Sequence, residues 1–226
     1  MRSTVLVTLA LTTAASGALI SCASRSFAPG EGRGLVTVET EVPRGVTAVP
    51  KPRLRVGDRF VYRRGGALRI EQAIVESDEN GIVLEEASSR LRTRLGSDLQ
   101  QVAQESGEEW WLDKEIAPGD WQLTFPLWPG KRWACEFLLK RRGEDALPVL
   151  AKYHCDRAEE ITTPAGTFSC LRIWRIARPL VEGRKFLDQA TLFWYAPAVG
   201  NFVRRFEDGT VTELEEFVRQ GGTDAR

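Results

Sequence analysis

Residues 202–217 read Phe-Val-Arg-Arg-Phe-Glu-Asp-Gly-Thr-Val-Thr-Glu-Leu-Glu-Glu-Phe, two short alternating runs joined by Asp208-Gly209. An Asp-Gly pair between such runs is a strong signal for a β-hairpin, because both residues tolerate a positive φ angle. Asn80-Gly81 occupies the same kind of position between residues 68–75 and residues 82–85. The sequence therefore predicts two antiparallel hairpins, one near each end of the same region.

Turn residues continue between these hairpins at intervals of about 8–15 residues, a spacing typical of an all-β domain with short strands. They are Gly107, Pro118-Gly119, Pro129-Gly130, Gly143, Pro164 to Gly166 and Pro197 to Gly200. Residues 191–195 are apolar on both faces of a strand, so both faces need cover. We therefore expect residues 53–219 to form a mainly β domain, a single curved antiparallel sheet or half-barrel of about ten strands. Only residues 97–106 could form a short helix, and loops, a helix or a ligand would fill the concave side.

The composition of the chain is that of an ordinary globular domain. The chain has 226 residues, of which 42% are hydrophobic and 27% are charged, and 31 Lys and Arg balance 31 Asp and Glu. A net charge of +0 excludes a strongly basic nucleic-acid binder, and the hydrophobic content excludes a disordered acidic chain. The composition points to no nucleic-acid partner and to no particular reaction.

The N-terminus carries the clearest functional signal of the sequence. Arg2 precedes an uncharged apolar run over residues 4–20, which is typical of a secretory signal peptide. The run ends in Leu19-Ile-Ser-Cys22, which resembles the lipobox of bacterial lipoproteins. The resemblance implies cleavage after residue 21 and acylation of Cys22, and two or more acyl chains anchor a protein stably to a membrane. A plain signal peptide with an incidental cysteine and an uncleaved membrane anchor are the alternatives.

The segment after Cys22 predicts a tether. Residues 22–52 are rich in Ser, Gly and Pro, so we expect an extended linker, although residues 35–41 alternate and could form a short strand. Residues 220–226 are expected to be a disordered tail. Ala23 is not an acidic retention signal, so the resemblance implies the periplasmic face of the outer membrane in a cell with two membranes.

Three turn motifs recur in an order that resembles a group of uncharacterised bacterial envelope proteins. They are a Pro-Gly-x-x-Trp segment at residues 129–133, a Thr-x-Pro-Ala-Gly-Thr-Phe turn at 162–168 and a Trp-Tyr-Ala-Pro-x-Val-Gly turn at 194–200. The resemblance covers residues 54–218. Those families are similar in architecture to the LolA-like lipoprotein carriers, which implies a curved sheet able to hold acyl chains.

The chemistry-bearing residues predict no enzyme, no cofactor and no metal site. His154 is the single histidine, and on an alternating strand it lies on the face opposite Tyr153 and Cys155, where solvent is expected. No HExxH, CxxC, GxSxG, Walker A or GxGxxG motif occurs. Consecutive carboxylates such as Glu159-Glu160 point to opposite faces of a strand, so they do not converge as glycosidase carboxylates do.

The cysteines predict one disulfide. If Cys22 is acylated, Cys135, Cys155 and Cys170 remain, and export places them in an oxidising compartment. A hairpin centred at residue 145 would place Cys135 opposite Cys155, so this is the expected bridge, with Cys170 a free buried thiol. Three reduced, buried cysteines are the alternative, because a shift of register separates the pair.

Two functions remain open from the sequence. The seven tryptophans either pack the core and cover the sheet or form the aromatic wall of a cavity. The favoured function is a lipid-anchored structural or interaction module that binds another envelope protein. The alternative is a lipid-anchored carrier or sensor that binds a lipid or other hydrophobic ligand on the concave face. A cavity of several hundred cubic ångströms favours the carrier, and a filled core favours the module.

Overall fold

A computed structural model describes residues 34–107, 111–181 and 188–220. These residues form thirteen β-strands and no α-helix. The strands are β1 (Gly34–Val38), β2 (Arg59–Arg64), β3 (Leu68–Asp78), β4 (Gly81–Glu86), β5 (Leu91–Gly96), β6 (Gln101–Ser106), β7 (Trp111–Asp120), β8 (Arg132–Arg141), β9 (Leu147–Thr163), β10 (Gly166–Pro179), β11 (Gln189–Ala196), β12 (Asn201–Glu207) and β13 (Thr210–Val218). No described helix could span a membrane. The expected signal peptide, Cys22 and residues 221–226 lie outside the described residues.

Strands β2 to β13 form a closed antiparallel barrel of twelve strands. Each strand pairs with its sequence neighbour, and β13 pairs with β2. Asp58, which is fully buried, fastens the closure: its carboxylate accepts a hydrogen bond from the Gln220 backbone N at 2.7 Å and pairs with Arg219 at 3.0 Å. The expected half-barrel of about ten strands is therefore wrong, since the mainly β sheet closes on itself. Closure leaves neither β2 nor β13 with an unpaired edge.

The up-and-down order gives the barrel two distinct ends. We call the upper end the one with the turns that follow even-numbered strands, such as the β2–β3 and β12–β13 turns. The lower end has the turns that follow odd-numbered strands, such as the β3–β4 turn, together with the start of β2 and the end of β13. The β12–β13 hairpin is confirmed, with Asp208 and Gly209 at φ angles of 49° and 74°. The β3–β4 hairpin also forms, one residue earlier than the Asn80-Gly81 pair implies, because Gly81 already pairs with Asp78.

The short helix considered possible at residues 97–106 does not form. Gln101–Ser106 is strand β6, which pairs with β5 on one side and with β7 on the other. Residues 97–100 form the turn, where Leu99 has a φ angle of 63°. Backbone hydrogen bonds along both of its edges stabilise β6. A helix in this position would leave the facing edges of β5 and β7 without partners.

The expected linker is in part a strand of the barrel wall. Strand β8 pairs with β9 along one edge, and its other edge pairs with β7 at residues 138–141 and with β1 at residues 133–136. β1 therefore fills the gap that opens where β7 leaves β8. Val49 adds an isolated bridge to Leu127. The short strand considered at residues 35–41 is present as Gly34–Val38, and residues 39–48, between this strand and the bridge, form no strand or helix.

The β8–β9 register contradicts the predicted disulfide. Cys135 pairs with Ala151, not Cys155, because the hairpin is centred on Gly143, which has a φ angle of 74°. Cys155 lies four residues further along β9, about 13 Å at about 3.3 Å per residue. A disulfide requires Cα atoms within about 7 Å. All three cysteines are free and buried, as the alternative interpretation expected.

Candidate binding lumen

Alternate residues of each strand face the inside of the barrel, and on β9 the sequence pattern predicts this correctly. Ala151, Tyr153 and Cys155 are at most 3% exposed. His154 between them is half-buried, on the opposite face, and pairs across the sheet with Trp174. The inner face of β9 is therefore apolar apart from the Tyr153 hydroxyl.

The lower half of the barrel is filled by the connection from β7 to β8, residues 121–131, which we call the plug. Leu127 and Trp128 of the plug are at most 1% exposed. Trp133, at the start of β8, donates a hydrogen bond from Nε1 to the Trp121 carbonyl oxygen at 2.7 Å. The Trp133 ring stacks on Tyr153 with centroids 5.1 Å apart. The plug is thus anchored to the inner wall.

Lys131 holds the plug in shape. It is 1% exposed, and its Nζ donates hydrogen bonds to the carbonyl oxygens of Thr124 at 2.8 Å and Pro126 at 2.7 Å. Nζ also lies 4.6 Å from the centre of the Trp128 ring. Burial lowers the pKa of Lys131 to about 8, with Cys155 and Glu39 opposing the shift. All three partners of this ammonium group belong to the plug itself.

The tip of the β9–β10 hairpin packs against β13 at the same end. The Ala165 backbone N donates to the Leu214 carbonyl oxygen at 3.2 Å, and the rings of Phe168 and Phe217 meet edge to face at 5.9 Å. Cys170 packs here in a hydrophobic cluster that also contains Ile161 and Leu214. Two separate segments therefore cover the lower half of the molecule.

The upper half of the barrel is hollow. A cavity of about 590 Å³, partly open to solvent, lies between the inner faces of β6 to β12. Its apolar wall consists of Ile116, Phe137, Leu139, Val149, Ala177 and Phe193. Its charged wall consists of Lys114, Asp120, Arg141, Arg175, Arg205 and Glu207, with Arg178 and Asp208 at the rim. Ligand pockets typically measure about 300–1,000 Å³ and combine apolar walls with a few polar groups in this way.

Two smaller cavities adjoin this space on the side of β2 to β5, and the smaller of them reaches the lower turns at Leu99 and Gly200. They measure about 260 Å³ and 180 Å³, and Phe202 and Gln72 line both of them. Arg205 lines all three cavities. The Arg205 guanidinium therefore stands at the centre of the lumen.

A buried ion pair forms the floor of the hollow half. Asp120, 3% exposed, pairs with Arg175 at 2.9 Å and accepts a short hydrogen bond from the Tyr153 hydroxyl. Arg175 also donates to the Tyr153 oxygen at 2.9 Å. Burial opposes the charge of Arg175, yet Tyr153 and Asp120 beside it raise its pKa above the ordinary value. Burial and Asp120 raise the pKa of Tyr153, so the hydroxyl stays protonated. These three groups satisfy one another.

Two other lumen cations lack such partners. In the described part of the chain, no hydrogen bond or ion pair engages Lys114, and the one ion pair of Arg205 is a long contact of 3.9 Å to Glu207. The Arg205 guanidinium lies 5.0 Å from the centre of the Phe193 ring and 5.8 Å from that of Phe202. Burial lowers the pKa of both cations. Four cations face two carboxylates inside this cavity, and the rim adds one charge of each sign.

Among the described residues, the cysteines and tryptophans singled out in the sequence do not line the cavity of about 590 Å³. Cys135 and Cys155 are on the inner wall without a bridge between them. Trp128 and Trp133 fill the lower half and Trp174 is 40% exposed, so these tryptophans follow the core-and-cover interpretation. The lumen cations were missed, although Arg204-Arg205 gave a signal: consecutive strand residues point to opposite faces, so one of the two arginines has to face inward.

Comparisons with known proteins show structural likeness only. No protein-family model matches the chain, and no curated protein matches it in sequence. The fold is similar to that of the hypothetical lipoprotein YmcC from Escherichia coli, with a TM-score of 0.45 and 11% identity over 74% of this chain and 90% of that one. A candidate lipoprotein from Parabacteroides distasonis gives a TM-score of 0.44 with 15% identity, over 76% of this chain and 100% of that one. A candidate exported protein from Bacteroides fragilis with a YmcC-like fold gives 0.40 with 14% identity, over the same shares.

Proposed function

We propose that this chain is a lipid-anchored protein of the bacterial envelope whose barrel binds a small hydrophobic or amphiphilic molecule in its upper lumen. The observation that carries the proposal is the cavity of about 590 Å³ above a plugged lower half. The lipobox-like Leu19-Ile-Ser-Cys22 supports the anchor. The protein would act as a carrier or a sensor of that molecule at the membrane surface.

The hollow half forgoes packing that a purely structural module has every reason to keep. An interior left unfilled gives up apolar burial, which stabilises a fold by about 25 cal/mol per Å² of apolar surface. The plug shows that this barrel fills its interior with loop side chains where a packed core is required. A lumen left open and lined with unpaired cations is better explained by a ligand than by the interaction-module function that the sequence favoured.

The proposed function is binding without conversion. The carboxylate at the cavity floor, Asp120, is engaged by Arg175 and Tyr153. Burial raises the pKa of the Cys155 thiol to about 12 and raises that of Cys135 as well, so neither is a ready nucleophile. The groups most available to a ligand are cations and apolar side chains, which bind and orient.

The test compares two neighbouring substitutions on β10. Ala177→Phe adds a ring inside the cavity, whereas Ile176→Phe adds one on the outer face, where Ile176 is 44% exposed. Each variant and the wild type are purified natively from membranes, and co-purifying small molecules are identified by mass spectrometry. We expect a lipid or other amphiphile with the wild type and with Ile176→Phe, and its loss with Ala177→Phe.

Two results would overturn the proposal. One is a wild-type protein that carries no small molecule and binds no amphiphilic probe. The other is Ala177→Phe retaining the molecule at wild-type stoichiometry. Thermal unfolding of both variants is compared with that of the wild type, which distinguishes loss of the binding site from misfolding.

A further inference from the structure

We infer that the ligand carries an anionic head group, a carboxylate or a phosphate, which Lys114 and Arg205 bind inside the upper lumen. This inference rests on the proposed function and specifies the ligand class. It starts from two cations that line the cavity and that no hydrogen bond engages among the described residues.

Lys114 projects from β7 into a region of positive potential. Its strand neighbours are Gln104 on β6 and Arg141 on β8. Asp120 and Glu207 favour its charge, whereas Arg141 and Arg175 oppose it. Because Asp120 already pairs with Arg175 at 2.9 Å, its charge is largely neutralised for Lys114. An ammonium group in this position gains most from an additional anion.

Arg205 is held in place but not neutralised. The rings of Phe193 and Phe202 pack against its guanidinium, and Glu207 lies 3.9 Å away. Although it lies within the barrel wall, its side chain is 38% accessible, because the space beside it is hollow. Arg205 therefore lines the lumen, and a planar guanidinium matches a carboxylate or phosphate through paired hydrogen bonds.

The remaining wall fits an apolar tail. Phe137, Leu139, Val149 and Phe193 line the same cavity as the two cations. A wholly apolar ligand would bury Lys114 and Arg205 without partners, which is costly. A wholly polar anion would leave the apolar part of the wall without a ligand contact. An anionic amphiphile satisfies both parts of the wall.

The inference is tested with a pair of probes that differ in the charge of the head group and by one methyl group. The protein is the mature chain, residues 22–226, with Cys22→Ser to remove the acylation site, in buffer without detergent. The probes are 11-(dansylamino)undecanoic acid and its methyl ester, and binding is read from dansyl fluorescence. We expect the acid to bind at least about tenfold more tightly than the ester, since charge-assisted hydrogen bonds discriminate by this order.

Four variants separate the head-group site from general effects. Lys114→Gln and Arg205→Gln should each weaken binding of the acid about tenfold and change binding of the ester less than twofold. Arg205→Lys keeps the charge and should retain most of the preference for the acid. Lys152→Gln removes an exposed cation from the outer face of β9 and should change neither affinity.

The outcomes are distinguishable from a failure of the proposed function. If neither probe binds, the proposed function and the inference both fail. If acid and ester bind equally, or if the glutamine variants weaken both equally, the lumen binds ligands but the anionic site does not exist. If the acid binds more tightly than the ester, its displacement by oleate and by lysophosphatidic acid assigns the site to carboxylate or phosphate head groups. Either assignment supports the inference.

Discussion

Two lysines inside this barrel, the buried Lys131 and the half-buried Lys114, have different roles. Lys131, in the lower half, donates to two carbonyl oxygens and lies over the Trp128 ring. Lys114, in the upper half, faces a cavity and has no such partners in the described residues. Burial lowers the pKa of both. The difference lies in what surrounds the ammonium group, and it separates a charge that stabilises a loop from a charge that is available to a ligand.

The two halves of the barrel repeat this contrast on a larger scale. In the lower half, Trp133 hydrogen-bonds and stacks, and the plug occupies the interior. In the upper half, the strand ends enclose open space, and Asp120 with Arg175 marks the boundary between the halves. Substitutions in the lower half should therefore affect stability, whereas those in the upper half should affect binding.

The largest effect on stability is expected at the boundary. Asp120→Ala leaves Arg175, whose side chain is 14% exposed, without its carboxylate, so the free energy of unfolding should fall by about 3–5 kcal/mol. Denaturant titration measures this fall. A loss below about 1 kcal/mol would show that solvent in the lumen already screens the pair, which would make the boundary part of the hollow half.

Lys131→Met should have the next largest effect. It leaves the carbonyl oxygens of Thr124 and Pro126 without their donor, and unsatisfied buried groups cost about 1–3 kcal/mol each, so we expect a loss of about 3 kcal/mol. Lys114→Met is the matched control and should change the free energy of unfolding by less than about 1 kcal/mol, because it breaks no hydrogen bond or ion pair within the described residues. Equal losses in the two variants would contradict the comparison.

The pH dependence of stability should report on Lys131. Its pKa in the folded protein is about 8, against an ordinary value of 10.5, so between these values the unfolded chain binds more protons than the folded one. The free energy of unfolding should therefore rise with pH in this window, by at most about 1.4 kcal/mol per pH unit. The rise is measured as the difference between wild type and Lys131→Met from pH 7 to 10.5. A flat difference would show that the plug carbonyls keep the amine charged.

Thiol reactivity distinguishes the filled half from the hollow half directly. Cys135, Cys155 and Cys170 are at most 1% exposed, so a thiol reagent should modify none of them in the folded protein and all three after unfolding. Lys114→Cys places a thiol in the open cavity, where it should react in the folded protein. Wild-type reaction before unfolding would contradict the packing of the inner wall, and a non-reducing peptide map should show no disulfide.

The features that could be predicted from the sequence are those that depend on neighbouring residues in the chain, namely the hairpin turns and the faces of single strands. Asp208-Gly209 forms its hairpin because both residues adopt positive φ angles within the turn itself. The faces of β9 follow from strict alternation around His154. The β8–β9 register was missed by a shift of the turn from residue 145 to Gly143, which separates the two cysteines.

Long-range pairing lay beyond this kind of prediction. Arg63 and Glu215 meet across the β2–β13 closure although they are 152 residues apart in the chain. The hollow lumen depends on that closure and on the plug, neither of which leaves a local pattern. In the sequence, Lys114 is therefore indistinguishable from any other strand lysine, and only the closed barrel shows that it lies beside an open cavity.

The place of β1 in the barrel wall has a mechanical consequence. If Cys22 is acylated as proposed, tension on the anchor reaches the barrel at Gly34, the first residue of β1. Tension along β1 loads its four residue pairs with β8 in shear, so they must yield together instead of opening one after another. A tether that joins the side of the barrel in this way resists tension better than one attached to a fraying end.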